Sequence, residues 1–202
     1  MRAIVIYATH EGQTDSIGRE IAARMRGVGL PTDTYNVAQL PATQIALESY
    51  DAVVFGSPLH WGAHDSRIGW CMKEHRWFLE SVPSAFFSVS LSVASDDKQE
   101  RQAAIDAAKA FVAKHHLRPQ HLVCFAGALK YSRYGLIKKR MMHMIAKRHD
   151  AGSDMMQDYQ YTDWDRVDHF AEAFARKVIH DVGRRKSEQS RRRPSISLAP
   201  TF

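Results

Sequence analysis

Apolar residues along the chain follow two rhythms, and their alternation predicts an α/β fold. Ala3-Ile4-Val5-Ile6-Tyr7 is an apolar run of strand length, after which Ile17, Ile21, Ala22, Met25 and Val28 recur at helical spacing until Gly27, Gly29 and Pro31 end the pattern. Thr32-Asp33-Thr34-Tyr35-Asn36-Val37 alternates weakly, as a short outer strand would, and Tyr50-Asp51-Ala52-Val53-Val54-Phe55-Gly56 predicts a central strand ending at glycine. Ser57-Pro58-Leu59-His60-Trp61-Gly62 reads as its exit loop. Ile68, Trp70, Cys71, Met72, Phe78 and Leu79 then form one helix-like segment. Pro83-Ser84-Ala85-Phe86-Phe87-Ser88-Val89-Ser90-Leu91 makes a fourth strand, residues 99–116 a helix through Ala103, Ala107, Ala108, Phe111 and Val112, and Leu122-Val123-Cys124-Phe125-Ala126-Gly127 a fifth strand. Thr162-Asp163-Trp164-Asp165 reads as a capping box, opening a last helix that buries Val167, Phe170, Phe174 and Val178. Strands alternating with helices imply a mostly parallel sheet covered on both faces, with ligands at the carboxyl ends of its strands.

The first two strand exits carry the candidate chemistry. Thr9-His10-Glu11-Gly12-Gln13-Thr14 joins a strand to a helix, so hydroxyls and several backbone N–H groups meet the positive end of a helix dipole. The loop lacks the glycines of G-x-G-x-x-G and the lysine of G-x-x-x-x-G-K-[ST], which favours a single terminal phosphate such as that of FMN; the alternative is an ordinary turn and helix cap. In the next loop, Trp61 is suited to stacking on an isoalloxazine ring, with Gly56 and Gly62 letting backbone come close to it; the alternative is that Trp61 only covers the sheet edge.

Composition narrows this picture. A chain of 202 residues supports one well-buried domain, expected over residues 1–182, followed by a Ser/Arg-rich tail at 183–202 expected to be disordered. Residues 129–161 form an insertion beyond the minimal plan. The two cysteines, Cys71 and Cys124, fall in helix-like and strand-like segments without a signal peptide upstream, which fits a reduced cytoplasmic setting. No apolar run approaches bilayer-spanning length, so any membrane contact is expected to be peripheral. A net charge of +6 favours an anionic partner without saying which.

The loops at residues 9–14 and 56–62 resemble the phosphate and ring loops of flavodoxin-fold FMN proteins. Together with Ala126-Gly127-Ala128-Leu129-Lys130-Tyr131-Ser132-Arg133-Tyr134, Tyr161-Thr162-Asp163-Trp164 and the fourth strand, they resemble the quinone-dependent protoporphyrinogen IX dehydrogenase family over about residues 1–180. The resemblance implies a flavodoxin-like, doubly wound five-stranded parallel sheet in the order 2-1-3-4-5. It implies FMN held by Thr9, Glu11, Gly12, Gln13 and Thr14, by Leu59, His60, Trp61 and Gly62, and by Ser88, Val89, Ser90, Leu91, Ser92, Val93 and Ala94. It also implies oxidation of a reduced tetrapyrrole, protoporphyrinogen IX, on the heme-forming route, with electrons passed to a membrane quinone. The chain departs from the family at the ring loop, where His60-Trp61-Gly62-Ala63-His64-Asp65 stands in place of an Arg-Tyr-Gly sequence followed by histidines.

In the insertion, Leu136, Ile137, Met141, Met144 and Ile145 share one helical face, while Lys139, Arg140, His143 and Lys147 lie mostly opposite. With Lys130, Arg133, Lys138 and Arg148, they suit an anionic membrane surface or porphyrin propionates; a solvated basic helix is the alternative. On the membrane reading, the protein is expected to be cytoplasmic and peripherally associated with the inner face of the cell membrane. His60 and His64 are candidate proton acceptors or loop hydrogen-bond partners, since loss of hydride beside a ring N–H also requires loss of a proton. No spacing fits a zinc site, so no metal is expected. The arginine runs at 184–186 and 191–193 lack an aromatic platform, so no nucleic acid is expected. A homo-oligomer is left open. The competing readings are a flavodoxin-like electron-transfer or quinone-reducing protein with another substrate, and a flavin-free module binding anionic surfaces.

Overall fold

A computed structural model describes residues 1–9, 11–39, 45–129 and 159–192. Its strands are β1 (Ala3–Tyr7), β2 (Thr32–Asn36), β3 (Ala52–His60), β4 (Ala63–His64), β5 (Ser84–Ser90), β6 (His121–Ala126), β7 (Ala128–Leu129) and β8 (Tyr159–Gln160). The helices are α1 (Gln13–Gly27), α2 (Ser66–Glu74), α3 (Arg76–Leu79), α4 (Lys98–Lys114) and α5 (Trp164–Arg192). The sheet runs β2-β1-β3-β5-β6 with every pairing along that path parallel, which is the 2-1-3-4-5 order once the short β4 is set aside.

A parallel strand covered on both faces favours a near-continuous apolar run, and all of β1 is apolar and buried. Ala3, Val5 and Tyr7 join Ile17, Ile21 and Met25 of α1 and Val167, Phe174 and Val178 of α5 in one core; Ile4 and Ile6 join Ile68, Met72 and Val112 in the other. Gly56 lies opposite Phe87 in the β3–β5 ladder, and a Cβ at residue 56 would stand 2.0 Å from Phe87 Cζ. The sequence reading gave this glycine to the ligand; the structure gives it to the Phe87 ring.

Several boundaries differ from expectation. The supposed exit loop after β3 is mostly strand: pairing with β5 continues to Pro58, and β4 folds back on Leu59 and His60. Pro58 is tolerated there because β1 no longer flanks β3 beyond Gly56, so the missing N–H falls where the ladder is one-sided. The segment after it splits into α2 and α3 at His75, which caps the end of one and the start of the other. α5 is capped by Asp163, whose Oδ1 accepts from the Arg166 amide at 3.0 Å, and not by Thr162. That helix continues to Arg192, past residue 183 where the tail was expected to begin. β7 and β8 pair antiparallel, so the two ends of the insertion leave the domain side by side.

Candidate functional site at the carboxyl ends of the strands

The parallel order brings the exits of β1, β3 and β5 to one edge of the sheet. At the first, Gly12 adopts φ 94° as the residue before α1, and its amide donates to Thr9 Oγ1 at 2.9 Å. Only a residue without Cβ adopts that conformation freely. The turn aims the first-turn amides of Gln13, Thr14 and Asp15 outward, and these have no carbonyl one turn earlier within the helix to accept them. Asp15 would oppose an anion, but Tyr7 Oη donates to it and Arg19 Nε donates at 2.8 Å. Burial pushes the Asp15 carboxyl up, yet these bonds from Arg19 and Tyr7 outweigh burial and hold it below the usual carboxylate range. The Arg19 charge offsets the carboxylate, leaving the helix end attractive to phosphate.

At the second exit, Trp61 (φ 52°) and Gly62 (φ 78°) separate the paired residues His60 and Ala63. Two consecutive positive φ values across a two-residue loop are the signature of a type I′ hairpin turn. A tryptophan in that conformation is strained by on the order of 1–3 kcal/mol. Trp61 is also 80% exposed, so burial does little to offset that strain. His60 Nε2 stands 3.8 Å from Glu11 Oε1, joining this hairpin to the first loop.

The base of the hairpin is pinned. His64 Nε2 is 2.9 Å from Ser88 Oγ, and its ring packs edge-on to Phe86 and tilted against Phe111. The Asp65 amide donates to Ser57 Oγ at 2.9 Å, while Asp65 caps α2 and pairs with Arg67 at 2.6 Å. His64 therefore lies beneath the hairpin and not at its open face, and burial pushes its pKa down to about 4. These contacts give His64 the hydrogen-bonding role that the sequence reading sets beside proton acceptance. Because the folded pKa is below the ordinary value near 6.5, the unfolded chain binds the extra proton between about pH 6.5 and pH 4. Stability contributed by neutral His64 is full above pH 6.5 and is lost as pH falls through 4. Denaturant midpoints measured across that window should fall less steeply in His64→Gln, by up to one proton's contribution; an identical slope would refute this origin.

At the third exit, Ser88, Val89 and Ser90 end β5, and Leu91, Ser92, Val93 and Ala94 form a 3-10 turn. Ser90 Oγ is buried and has no hydrogen-bond partner among the described residues, and its chemistry suits a polar ligand group. The Gly127 amide donates to the Ser90 carbonyl at 3.2 Å, bringing the end of β6 alongside.

Two residues depart from the sequence reading or were absent from it. The Gln13 side chain is buried and its Nε2 donates to Thr162 Oγ1 at 2.9 Å, so its amide faces the first turn while its side chain faces the protein. Thr162 Oγ1 in turn donates to the Ala126 carbonyl at 2.8 Å. Of the other expected contacts, Lys130, Arg133, Lys138, Lys139, Arg140 and Lys147 lie outside the described residues, as does His10.

Comparison with known proteins agrees with this architecture. The family model for the flavodoxin domain matches residues 4–156. Protoporphyrinogen IX dehydrogenase [quinone] of Escherichia coli K12 is 33% identical over 175 residues, covering 87% of this chain and 95% of that protein. The Leishmania major protein of the same name is 29% identical over 178 residues, covering 86% and 74% respectively. Among solved structures, an archaeal flavodoxin superposes with a TM-score of 0.51 at 14% identity, covering 88% of this chain and 99% of its own. Oxidised flavodoxin 2 from Bacillus cereus does so with 0.52 at 16% identity, with the same two coverages of 88% and 99%. The structural likeness establishes the fold, and the sequence likeness over nearly the whole Escherichia coli protein goes further: the chain belongs to the flavodoxin-domain family and to the family of the quinone-dependent protoporphyrinogen IX dehydrogenases.

Proposed function

We propose that the protein is an FMN-dependent oxidoreductase that converts protoporphyrinogen IX to protoporphyrin IX and delivers the electrons to a membrane quinone. The observation that carries this reading is the meeting, at one sheet edge, of an anion-ready helix end, a strained exposed tryptophan and a buried serine hydroxyl without a partner among the described residues. These suit in turn the phosphate, the flat ring and a polar edge of FMN. The family relatives' name supplies the substrate and acceptor classes.

FMN, when bound, supplies the two-electron chemistry. The first-turn amides of α1 hold its phosphate, with the Thr9 hydroxyl fixing the turn that presents them. Trp61 covers the ring and excludes water from it, using the energy of stacking to offset its strained backbone. Ser90 Oγ hydrogen-bonds a polar edge of the cofactor. His60, part-exposed at the hairpin and near Glu11, would take up a proton released by the substrate on oxidation. Among the described residues no helix is long and apolar enough to cross a membrane. The basic insertion identified in the sequence supports peripheral attachment to an anionic bilayer from the cytoplasmic side, where a quinone is within reach.

Purified protein should show a flavin spectrum or gain one on adding FMN, and should oxidise protoporphyrinogen IX anaerobically only with a quinone present. Trp61→Ala should weaken FMN binding about tenfold, in line with roughly 1–3 kcal/mol for stacking a planar ring on an aromatic side chain. Protein that loads FMN fully but forms no porphyrin would turn the reading toward another substrate. Failure to bind FMN would remove it. Flotation with anionic vesicles that added salt does not weaken would count against the electrostatic membrane contact.

A further inference from the structure

Gln13 is placed to serve two structures at once. It is the first residue of α1, where its amide belongs to the set that faces the phosphate position. Its side chain turns the other way, is 7% exposed, and donates to Thr162, which is 8% exposed. The Thr162 hydroxyl accepts from Gln13 and donates to the Ala126 carbonyl, so both halves of its hydrogen-bonding capacity are used inside the protein.

Thr162 stands at the base of the insertion. The chain leaves β6 at Ala126, passes into β7, and returns through β8 to Tyr161 and Thr162. The base is a ladder of two residue pairs, Ala128 with Gln160 and Leu129 with Tyr159, extended by the Tyr161 amide donating to the Gly127 carbonyl at 3.2 Å. A ladder that short is marginal on its own. Next to it, the Thr162 side chain ties the returning chain to the β6 end and to α1. The Gly127 amide carries the connection on to the Ser90 carbonyl, beside the orphaned Ser90 hydroxyl.

We propose that Gln13 and Thr162 form a strut that couples FMN occupancy to the order of the insertion base, with Thr162 as a positioning residue that does not itself touch the cofactor. The proposal rests on the FMN reading above. A phosphate bound by the first-turn amides fixes Gln13 at its backbone, which restricts the side chain that holds Thr162. By linkage, whatever binding free energy the cofactor lends to the base, the base lends to the cofactor. Filling the site should therefore protect β7 and β8, and loosening the base should weaken binding from a distance.

The test uses the full chain with and without FMN, comparing wild type, Thr162→Val and Thr162→Ser. Valine keeps the shape and removes the hydroxyl, leaving Gln13 Nε2 and the Ala126 carbonyl without their partner; serine keeps the hydroxyl. Amide hydrogen exchange at Leu129, Gln160 and Tyr161 is read against exchange in the α1 and α4 interiors, alongside FMN affinity. In wild type, FMN should slow exchange at the base at least about fivefold. In Thr162→Val that FMN-dependent slowing should vanish and affinity should fall about tenfold, with α4 exchange unchanged, while Thr162→Ser should behave as wild type. If Thr162→Val kept wild-type FMN-dependent protection, or if wild type bound FMN without any change at the base, the strut would be overturned. Slowing lost equally in α4 would mean general destabilisation and would also overturn it. Wild type that binds no FMN would remove the cofactor reading and the coupling together, an outcome distinguishable because it appears before any variant is compared.

Discussion

Gly56→Ala is expected to destabilise the protein by about 3 kcal/mol, near the upper end of the usual cost of overpacking a core. The added Cβ would stand 2.0, 2.4 and 2.7 Å from three ring atoms of Phe87. Contacts under 3 Å are not accommodated by a few tenths of an ångström of adjustment, so a ring or a strand has to move. Phe87 is fully buried, lies across the β3–β5 ladder from Gly56, and packs towards Phe125 with ring centroids 6.1 Å apart. It has no exposed direction in which to swing. Urea unfolding of the single variants and of Gly56→Ala/Phe87→Leu measures the pair: leucine removes the clashing ring end, so the alanine should cost distinctly less in that background. An undiminished cost would show that the ring is not the obstacle. A Gly56→Ala protein as stable as wild type but unable to bind FMN would restore the sequence-based view that this glycine serves the cofactor.

Gly12→Val is expected to lower FMN affinity at least about a hundredfold, equivalent to about 2.7 kcal/mol. At φ 94° a β-branched residue is strongly disfavoured, so the turn must relax towards negative φ. Such a relaxation breaks the Gly12 amide's bond to Thr9 and rotates the amides that follow it. Asparagine tolerates the left-handed region better than alanine or valine, so the loss should rank Val above Ala above Asn. Titration of the apoprotein with FMN and with riboflavin tests the assignment of this loop to phosphate. Riboflavin has no phosphate, so its binding should change much less, and an equal loss for both ligands would move the phosphate elsewhere.

The central fold was legible because a parallel sheet buried on both faces favours apolar runs, and Ala3–Tyr7 in β1, Ala52–Phe55 in β3 and Ala85–Phe87 in β5 are such runs. The turn at residues 9–14 was legible for a related reason: a strand, a glycine and a helix pattern in succession leave few geometries. What escaped depended on contacts distant in sequence. His64 looks like a loop histidine until Phe86, Ser88 and Phe111 surround it, and those residues come from β5 and α4. Thr162 fits a capping box by spacing, yet its hydroxyl is taken by Ala126 and Gln13 and the cap passes to Asp163. Gly56 was read through the loop that follows it, whereas its reason lies on the neighbouring strand. The hairpin tip combined the two cases: Trp61 stood out by residue type, but its positive φ follows from the β3–β4 pairing, which no local pattern announced.

The antiparallel closure of β7 on β8 makes the insertion a cassette. In an antiparallel pair the two chains are only about 5 Å apart, so whatever they enclose begins and ends at nearly the same point. Segments of very different length and composition fit such a doorway without disturbing the register of the five-stranded sheet. The entropic cost of enlarging the enclosed loop is slight, about 0.6 kcal/mol for each doubling. A scaffold closed in this way can accept change in the enclosed segment at little cost to the sheet, so that variation is confined behind a two-pair ladder.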